Sequence, residues 1–395
     1  MDKPPASALP ARVEARMEAK LASLASQSQL RRLEVMQGIN FCSNDYLGLS
    51  CDPRLREAVT NALAAGAAVG STGSRLLSGD ARIWEDLETE LARFASTEAA
   101  LFFNSGYAAN TGLLGCIAGP QDVIFSDRAN HASIIDGMRL SRARKVIFPH
   151  LDLGFLEREL RSCDGAAQKY IVVESVFSMD GDRAPLTNLA VIANRHGAQL
   201  IVDEAHATGV FGPGGRGLAA ASGAMRDILA TIHPCGKAFA AMGAFVCCSE
   251  TLKQYLVNHA RTFIFSTAPP PYLAAQMRAA LRIVARADNA RSHLASLGAH
   301  LRARLRDAGF DTAGSDSQIV PVLLGGNEHA LQFAALLCQA GFAVRAIRPP
   351  TVPLGTARLR LSLTAAMSIE ILDRLVSEMI RIREQLAPLL CSAGP

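Results

Sequence analysis

Short apolar or β-branched runs alternate with helix-length stretches through the middle of the chain. The runs fall at 101–103, 122–125, 145–148, 170–173, 200–202, 229–232 and 244–247. Seven such runs separated by helical segments predict a parallel or mixed sheet with helices on both faces. Upstream, Val13, Met17, Leu21 and Leu24 recur at helical spacing, which predicts an amphipathic arm over about 12–35 that ends in Arg31 and Arg32. Beyond about 270 the pattern changes. Leu273, Met277, Leu281, Val284 and Leu294 predict one long helix or two across 271–309. A strand (319–323), a helix (330–340), a strand (342–347), a Pro-Pro turn, a strand (358–363) and a last helix (369–386) follow, an α+β pattern. The expected division is therefore an N-terminal arm with a small-domain segment (1–54), a large domain (55–270), and a small domain with its connecting helix (271–395).

At 395 residues, with 49% hydrophobic and 19% charged positions, the chain carries enough apolar sequence for a sizeable core and no disordered bulk. A net charge of +4, spread over this length, argues against nucleic acid or a membrane surface as partner. No apolar run reaches the ~20 residues of a membrane span, and the polar, alanine-rich start lacks the apolar stretch of an export signal. The expectation is a cytoplasmic protein. Its nine cysteines form no Cys-x-x-Cys pair and no metal-ligand spacing with histidine, so reduced thiols and no metal are expected.

In sheets of this type ligands bind beyond the carboxyl ends of the strands. Those ends carry Asn104 to Tyr107, Ser126 to His131, Glu174 to Asp180, Asp203 to His206, and Gly236-Lys237. Lys237 lies among small and apolar neighbours, Cys235-Gly236 and Ala238-Phe239-Ala240, where burial lowers an amine toward the neutral form that attacks a carbonyl. Asp203, after the apolar run 200–202, suits a pyridine nitrogen, and the helix start at 105–110 suits a phosphate. This set of groups fits pyridoxal phosphate. Competing signals are weaker. Gly212 to Gly217 matches G-x-G-x-x-G but follows no strand directly, and Gly70 to Arg75 lacks the P-loop lysine.

Eight segments in order resemble the α-oxoamine synthases, a family of fold-type-I pyridoxal-phosphate enzymes. They are FCSNDYLGLS (41–50), GSTGSRLLSG (70–79), FFNSGYAAN (102–110), DRANHASIIDG (127–137), ESVFSMDGD (174–182), IVDEAHATGVFG (201–212), GKAFAAMGAF (236–245) and FIFSTAPPP (263–271). The resemblance runs from about Leu30 to the C-terminal helix. It implies an α/β transferase fold, with a seven-stranded, mainly parallel sheet flanked by helices, a smaller α+β C-terminal domain and an N-terminal helical arm. The implied reaction is decarboxylative condensation of an amino acid with an acyl thioester. Residues 347–366 are most similar to members that join L-alanine to a pimeloyl thioester, carried on coenzyme A or acyl carrier protein. Glycine- or serine-using sister condensers, and a catalytically silent cofactor-binding dimer, stay open.

By the same resemblance, Lys237 matches the lysine that bonds the cofactor and moves the substrate proton. His131 matches the histidine stacked on its ring, and Asp203 the partner of its ring nitrogen. His206 and Ser178 match residues near its phenolic oxygen, and Gly106 and Tyr107 its phosphate cradle. Thr267 matches a phosphate contact from a second subunit, which implies a homodimer with shared sites. Arg360 matches the arginine that pairs with the amino-acid carboxylate, while Arg31, Asn44 and Thr351 match further substrate positions. The chain departs from the family at Pro234, where a phosphate-binding threonine is usual; Thr231 or His233 is the expected substitute donor. It also departs at Ala240 (usually glycine), at Trp84 (usually histidine) and in a short segment between Arg32 and Ile39.

Overall fold

A computed structural model describes residues 8–163, 165 and 167–392, with side chains from 12 to 387; the expectations for 1–7 and 393–395, and for the Cys391 thiol, lie outside the described residues. Every one of the seven anticipated central strands forms. In spatial order they are Ala99–Phe103, Ala244–Cys248, Ile228–Pro234, Ala198–Asp203, Lys169–Glu174, Val123–Asp127 and Arg144–Phe148. All neighbours pair in parallel except Ala244–Cys248, which runs antiparallel to both of its partners. Five strands bury nearly every residue, as near-continuous apolar runs do when both sheet faces are covered.

One face packs against helices Gly106–Ile117, Ala132–Leu140 and Glu250–His259 through Leu113, Ile134 and Leu256. Another cluster gathers Phe125, Leu156, Leu189 and Leu200. The largest core is shared between the central sheet and the C-terminal unit: Tyr46, Trp84, Phe239 and Phe245 belong to the same buried cluster as Met277, Leu297, Leu361 and Met379.

The C-terminal unit is a three-stranded antiparallel sheet, ordered Ala346–Ile347, Ala357–Ser362, Ile319–Gly325, with helices Asn327–Gln339 and Ile369–Ser392. The region expected as one strand over 342–347 is two short ones. Phe342–Ala343 pairs in parallel with Ile39–Asn40 near the N-terminus, and the chain then bends so that Ala346–Ile347 joins the other sheet. The expected helical segment over 271–309 resolves into Pro271–Val284 and Asp288–Asp307. The N-terminal helix, Ala8–Ser26, stops well short of 35, because Ser28 takes a positive φ of 54° and residues 29–37 form no regular structure. Its apolar positions Val13, Met17 and Leu21 are more than half exposed, so periodicity there finds a helix whose face has no cover among the described residues. Among the described residues no helix is long and apolar enough to cross a membrane.

At the carboxyl rim, His150 ties two loops together. Its Nδ1 lies 2.8 Å from Asp127 Oδ1 and its Nε2 2.8 Å from Asp182 Oδ2, so both ring nitrogens carry protons. Burial opposes that charge, but the two carboxylates outweigh it and push the imidazole up to about 10. A raised folded-state pKa gives stability that is full below the unfolded value near 6.5 and lost as pH rises toward 10. Urea midpoints of the wild-type chain and His150→Ala should therefore differ most at pH 6 and converge toward pH 10; an equal gap at both would contradict this ion cluster.

Candidate active site

Parallel strands bring their last residues to one rim, and a cavity of about 180 Å³ opens there. It is lined by Gly106, Tyr107, His131, Asp203, His206 and Lys237 among the anticipated residues, and also by Asn110, Ser133, Glu174, Ala205 and Pro234. Asp203 ends its strand with both carboxylate oxygens engaged: Oδ2 accepts from Asn110 Nδ2 at 2.7 Å and Oδ1 from the Ala205 N–H at 2.9 Å. Asn110 also donates to Ser133 Oγ at 3.0 Å, and Ser133 Oγ lies 2.8 Å from His131 Nδ1. The Ser133 N–H donates to that same Nδ1 at 3.2 Å, capping helix Ala132–Leu140. Nδ1 is thus an acceptor, which leaves the proton of a neutral His131 on Nε2.

Lys237 follows strand Ile228–Pro234 in a tight loop. The Cys235 N–H donates to Gly243 O at 2.8 Å, and the Ala240 N–H to Lys237 O at 2.9 Å. Ala240 has φ 48°, the left-handed region where glycine is easier, and its carbonyl is held by Gln276 Nε2 at 3.0 Å. This loop keeps the alanine in a conformation that the usual glycine would take without strain.

Burial lowers the Lys237 ammonium toward its neutral form, with Asp203 and Glu174 opposing and Arg360 assisting. His131 is lowered by burial, against the pull of Asp203. Burial drives His206 well below the ordinary imidazole value, and Lys237 and Arg360 push it the same way. Its Nδ1 lies 2.5 Å from the Tyr46 hydroxyl. The site thus holds two neutral imidazoles and an amine disposed to act as a nucleophile.

Beside the cavity, Arg360 projects from strand Ala357–Ser362. Its Nε donates to the Ser178 carbonyl, and Nη1 to Asn44 Oδ1 at 3.1 Å and Ser362 Oγ at 2.7 Å. Ser178 and Asn44 therefore position the guanidinium rather than line the cavity. Arg31 Nη2 donates to Thr351 Oγ1 at 3.3 Å, so those two expected substrate residues meet each other. Exposed Thr267 bridges to Ser74 and gives its carbonyl to Asn104 Nδ2 at 2.7 Å; it does not line its own chain's cavity.

The expected substitutes for the missing threonine are corrected by strand alternation. Pro234 lines the cavity, so Thr231 and His233 face the other side of the sheet. There His233 Nε2 meets Thr231 Oγ1 and Nδ1 meets Thr208 Oγ1, each at 2.8 Å, and the ring stacks on Phe245. Pro234 instead walls the helix start: a Cβ on Gly106 would lie 2.7 Å from its Cγ.

Residues 36–379 match the family described as aminotransferase class I and II. Over 347 residues the chain is 48% identical to an 8-amino-7-oxononanoate synthase of Geobacter sulfurreducens, covering 87% of this chain and 88% of that one. It is 47% identical to another of that name from Burkholderia mallei over 87% and 88% of the two chains. The chain belongs to the aminotransferase class I and II family, on its α-oxoamine synthase branch. Among solved structures, a serine palmitoyltransferase of Sphingomonas wittichii superposes with TM-score 0.87 at 30% identity, covering 97% and 99%. An 8-amino-7-oxononanoate synthase of Francisella tularensis gives 0.77 at 29% identity, covering 88% and 98%.

This α-oxoamine synthase is a pyridoxal-phosphate-dependent acyltransferase, and its cavity suits that cofactor. At the start of helix Gly106–Ile117 the Gly106 and Tyr107 N–H groups have no helical carbonyl to bond, and glycine leaves open the space a Cβ would take. Asp203 presents a fixed carboxylate, and Glu174 Oε1 is a buried oxygen without a partner among the described residues. Asn110 and Glu174 fall within the helix-start and strand-end segments that the sequence points to but without a role of their own, and Ser133 is not among the sequence's candidates. The readable signal is a strand-terminal carboxyl for Glu174 and, for Asn110, an amide one turn into a helix whose later turns are apolar. Gly106→Ala should weaken pyridoxal phosphate binding by about tenfold or more, the scale of an overpacked contact, with unchanged far-ultraviolet circular dichroism; a fluorescence titration that finds wild-type affinity would disprove the tight cradle.

Proposed function

We propose that this chain condenses L-alanine with a pimeloyl thioester, releasing 8-amino-7-oxononanoate, carbon dioxide and the free thiol carrier, in the biosynthesis of biotin. The supporting observation is the 48% identity over most of the chain to an 8-amino-7-oxononanoate synthase, carried on a cavity whose lysine is held toward its neutral form.

When bound, pyridoxal phosphate supplies an electron sink for negative charge at the substrate Cα. Lys237 Nζ would hold the cofactor covalently and, once freed by the amino acid, take the Cα proton and later return it. The Asp203 carboxylate, fixed by Asn110 and Ala205, would keep a proton on the ring nitrogen. The His131 ring, neutral and facing the cavity, would stack on the cofactor, while His206 would orient its phenolic oxygen. The Gly106 and Tyr107 N–H groups would hold the phosphate. Arg360, locked at Nε and Nη1, would pair with the amino-acid carboxylate, with Asn44 holding its guanidinium, and Arg31 and Thr351 would serve further substrate positions.

The second subunit of a homodimer would bring its Thr267 to the phosphate. Exposed Leu76, Leu77 and Phe265, close in sequence to the Ser74–Thr267 bridge, suit burial against a second copy. The eight described cysteines, all free thiols, suit a cytoplasmic enzyme.

A second reading has one observation in its favour: TM-scores of 0.87–0.88 to serine palmitoyltransferases exceed the 0.77 to the Francisella enzyme. Identity to those enzymes is only 29–30%, against 48% to the Geobacter relative, and alanine is therefore preferred over serine. Offered pimeloyl-CoA with equimolar glycine, L-alanine and L-serine, the cofactor-loaded protein should give mainly the alanine-derived product by mass spectrometry; a dominant serine or glycine adduct would reject the alanine assignment. Lys237→Ala should lower turnover by about a thousandfold or more with the fold intact, and a variant at full rate would refute the lysine's role.

A further inference from the structure

Five buried side-chain polar atoms among the described residues have no hydrogen-bond partner, and only one of them, Glu174 Oε1, belongs to the cavity lining. Glu174 ends strand Lys169–Glu174 directly opposite Asp203, the two residues being register partners across a parallel pair. Both side chains reach the same cavity, and both residues are almost wholly buried, at 1% and 3% exposure. Two carboxyls this close in a dry setting do not both ionise readily, since each charge penalises the other.

Donors decide which of the two keeps the charge. Asp203 receives a side-chain amide at 2.7 Å and a backbone N–H at 2.9 Å, one on each oxygen. Glu174 receives one longer bond, from the Ser178 N–H at 3.2 Å on Oε2, with the His131 N–H near enough only to favour its charged form weakly, and Oε1 has no partner among the described residues. An ionised Glu174 would leave a bare anionic oxygen next to a second anion, whereas a protonated one carries a neutral O–H that can be donated into the cavity.

We infer that Glu174 carries the single proton of this carboxyl pair and acts as a neutral positioning residue, leaving Asp203 as the cavity's ionised carboxylate. The charged and titratable groups that face it are Asp203 from the neighbouring strand, Lys237 from the loop after Ile228–Pro234, and His131 and His206 on the adjoining walls. Burial, then Asp203, raise the Glu174 carboxyl to about 8 against the pull of Lys237, in line with the geometry. The use of this arrangement rests on the cofactor reading: a pyridine nitrogen that must stay protonated is served by one full negative charge, and a second would attract protons to other groups in the cavity. Glu174 so placed sets the charge of the site without taking part in bond making.

The test compares the holoenzyme with Glu174→Gln, which keeps shape and a neutral donor, and Glu174→Ala, which keeps neither. The infrared difference spectrum between wild type and Glu174→Gln at pH 7 should contain the carbonyl stretch of a protonated carboxylic acid, fading as pH is raised through about 8. The absorbance of bound pyridoxal phosphate in Glu174→Gln should follow the wild-type pH profile with affinity within about threefold, while Glu174→Ala should lose about tenfold in affinity. A carboxylate stretch in place of the acid band at pH 7, or a pH profile displaced by about one unit in Glu174→Gln, would overturn the inference. A wild-type chain that takes up no pyridoxal phosphate would reject the cofactor reading instead, and the infrared band would still locate the proton.

Discussion

Withdrawal of a few polar groups from water at the carboxyl rim of one sheet is the constraint around which this molecule is arranged. Burial lowers the Lys237 amine and both cavity imidazoles and raises Glu174. Fixed bonds satisfy the buried polar groups of the site: Asn110 and Ala205 on Asp203, Ser133 on His131, Tyr46 on His206. The strands matter because they end together. A parallel sheet delivers Glu174 and Asp203 side by side and brings Pro234 to the same rim with no need for a long loop.

A second polar layer supports the first from behind. Glu204, next to Asp203, is fully buried and accepts from Ser175 Oγ at 2.7 Å and from the Leu218 N–H at 3.1 Å. Gly217 is required there, since a Cβ would fall 2.7 Å from that carboxyl. The G-x-G-x-x-G look-alike at 212–217 thus serves close approach to a buried carboxylate, not a nucleotide. On the sheet's other face the Thr231–His233–Thr208 chain satisfies its own donors and acceptors, which is why it has nothing to offer a phosphate in the cavity.

The fold was largely legible because its signals are periodic: continuous apolar runs bury on both sides, and each predicted central strand forms within a few residues of its expected bounds. What escaped was decided by partners far along the chain. No local pattern tells that Phe342–Ala343 turns to Ile39–Asn40 while Ala346–Ile347 turns elsewhere, or that the N-terminal helix ends at Ser26 with its apolar stripe uncovered. In the site, Lys237, Asp203, His131 and His206 were readable as strand-end chemistry and from family motifs. Asn110 and Ser133 were not, because their value lies in linking Asp203 to His131, a relation between three segments. Ser178 was read as a side chain near the cofactor, yet within the chain its backbone does the visible work, donating to Glu174 and accepting from Arg360.

The anchoring of Arg360 carries a consequence for how the protein comes into being. Its guanidinium is held by Asn44, 316 residues away, and by Ser178, 182 residues away. Contacts of such separation carry a loop-closure cost and cannot form until both ends of the loop have been made. A nascent chain emerging from the ribosome holds every strand of its central sheet, and with them Asp203 and Lys237, before residue 360 exists. The bridge that Arg360 makes between Asn44 and Ser178 is therefore completed last in synthesis, so an unfinished chain carries Asp203 and Lys237 without the guanidinium that joins the two distant segments beside them.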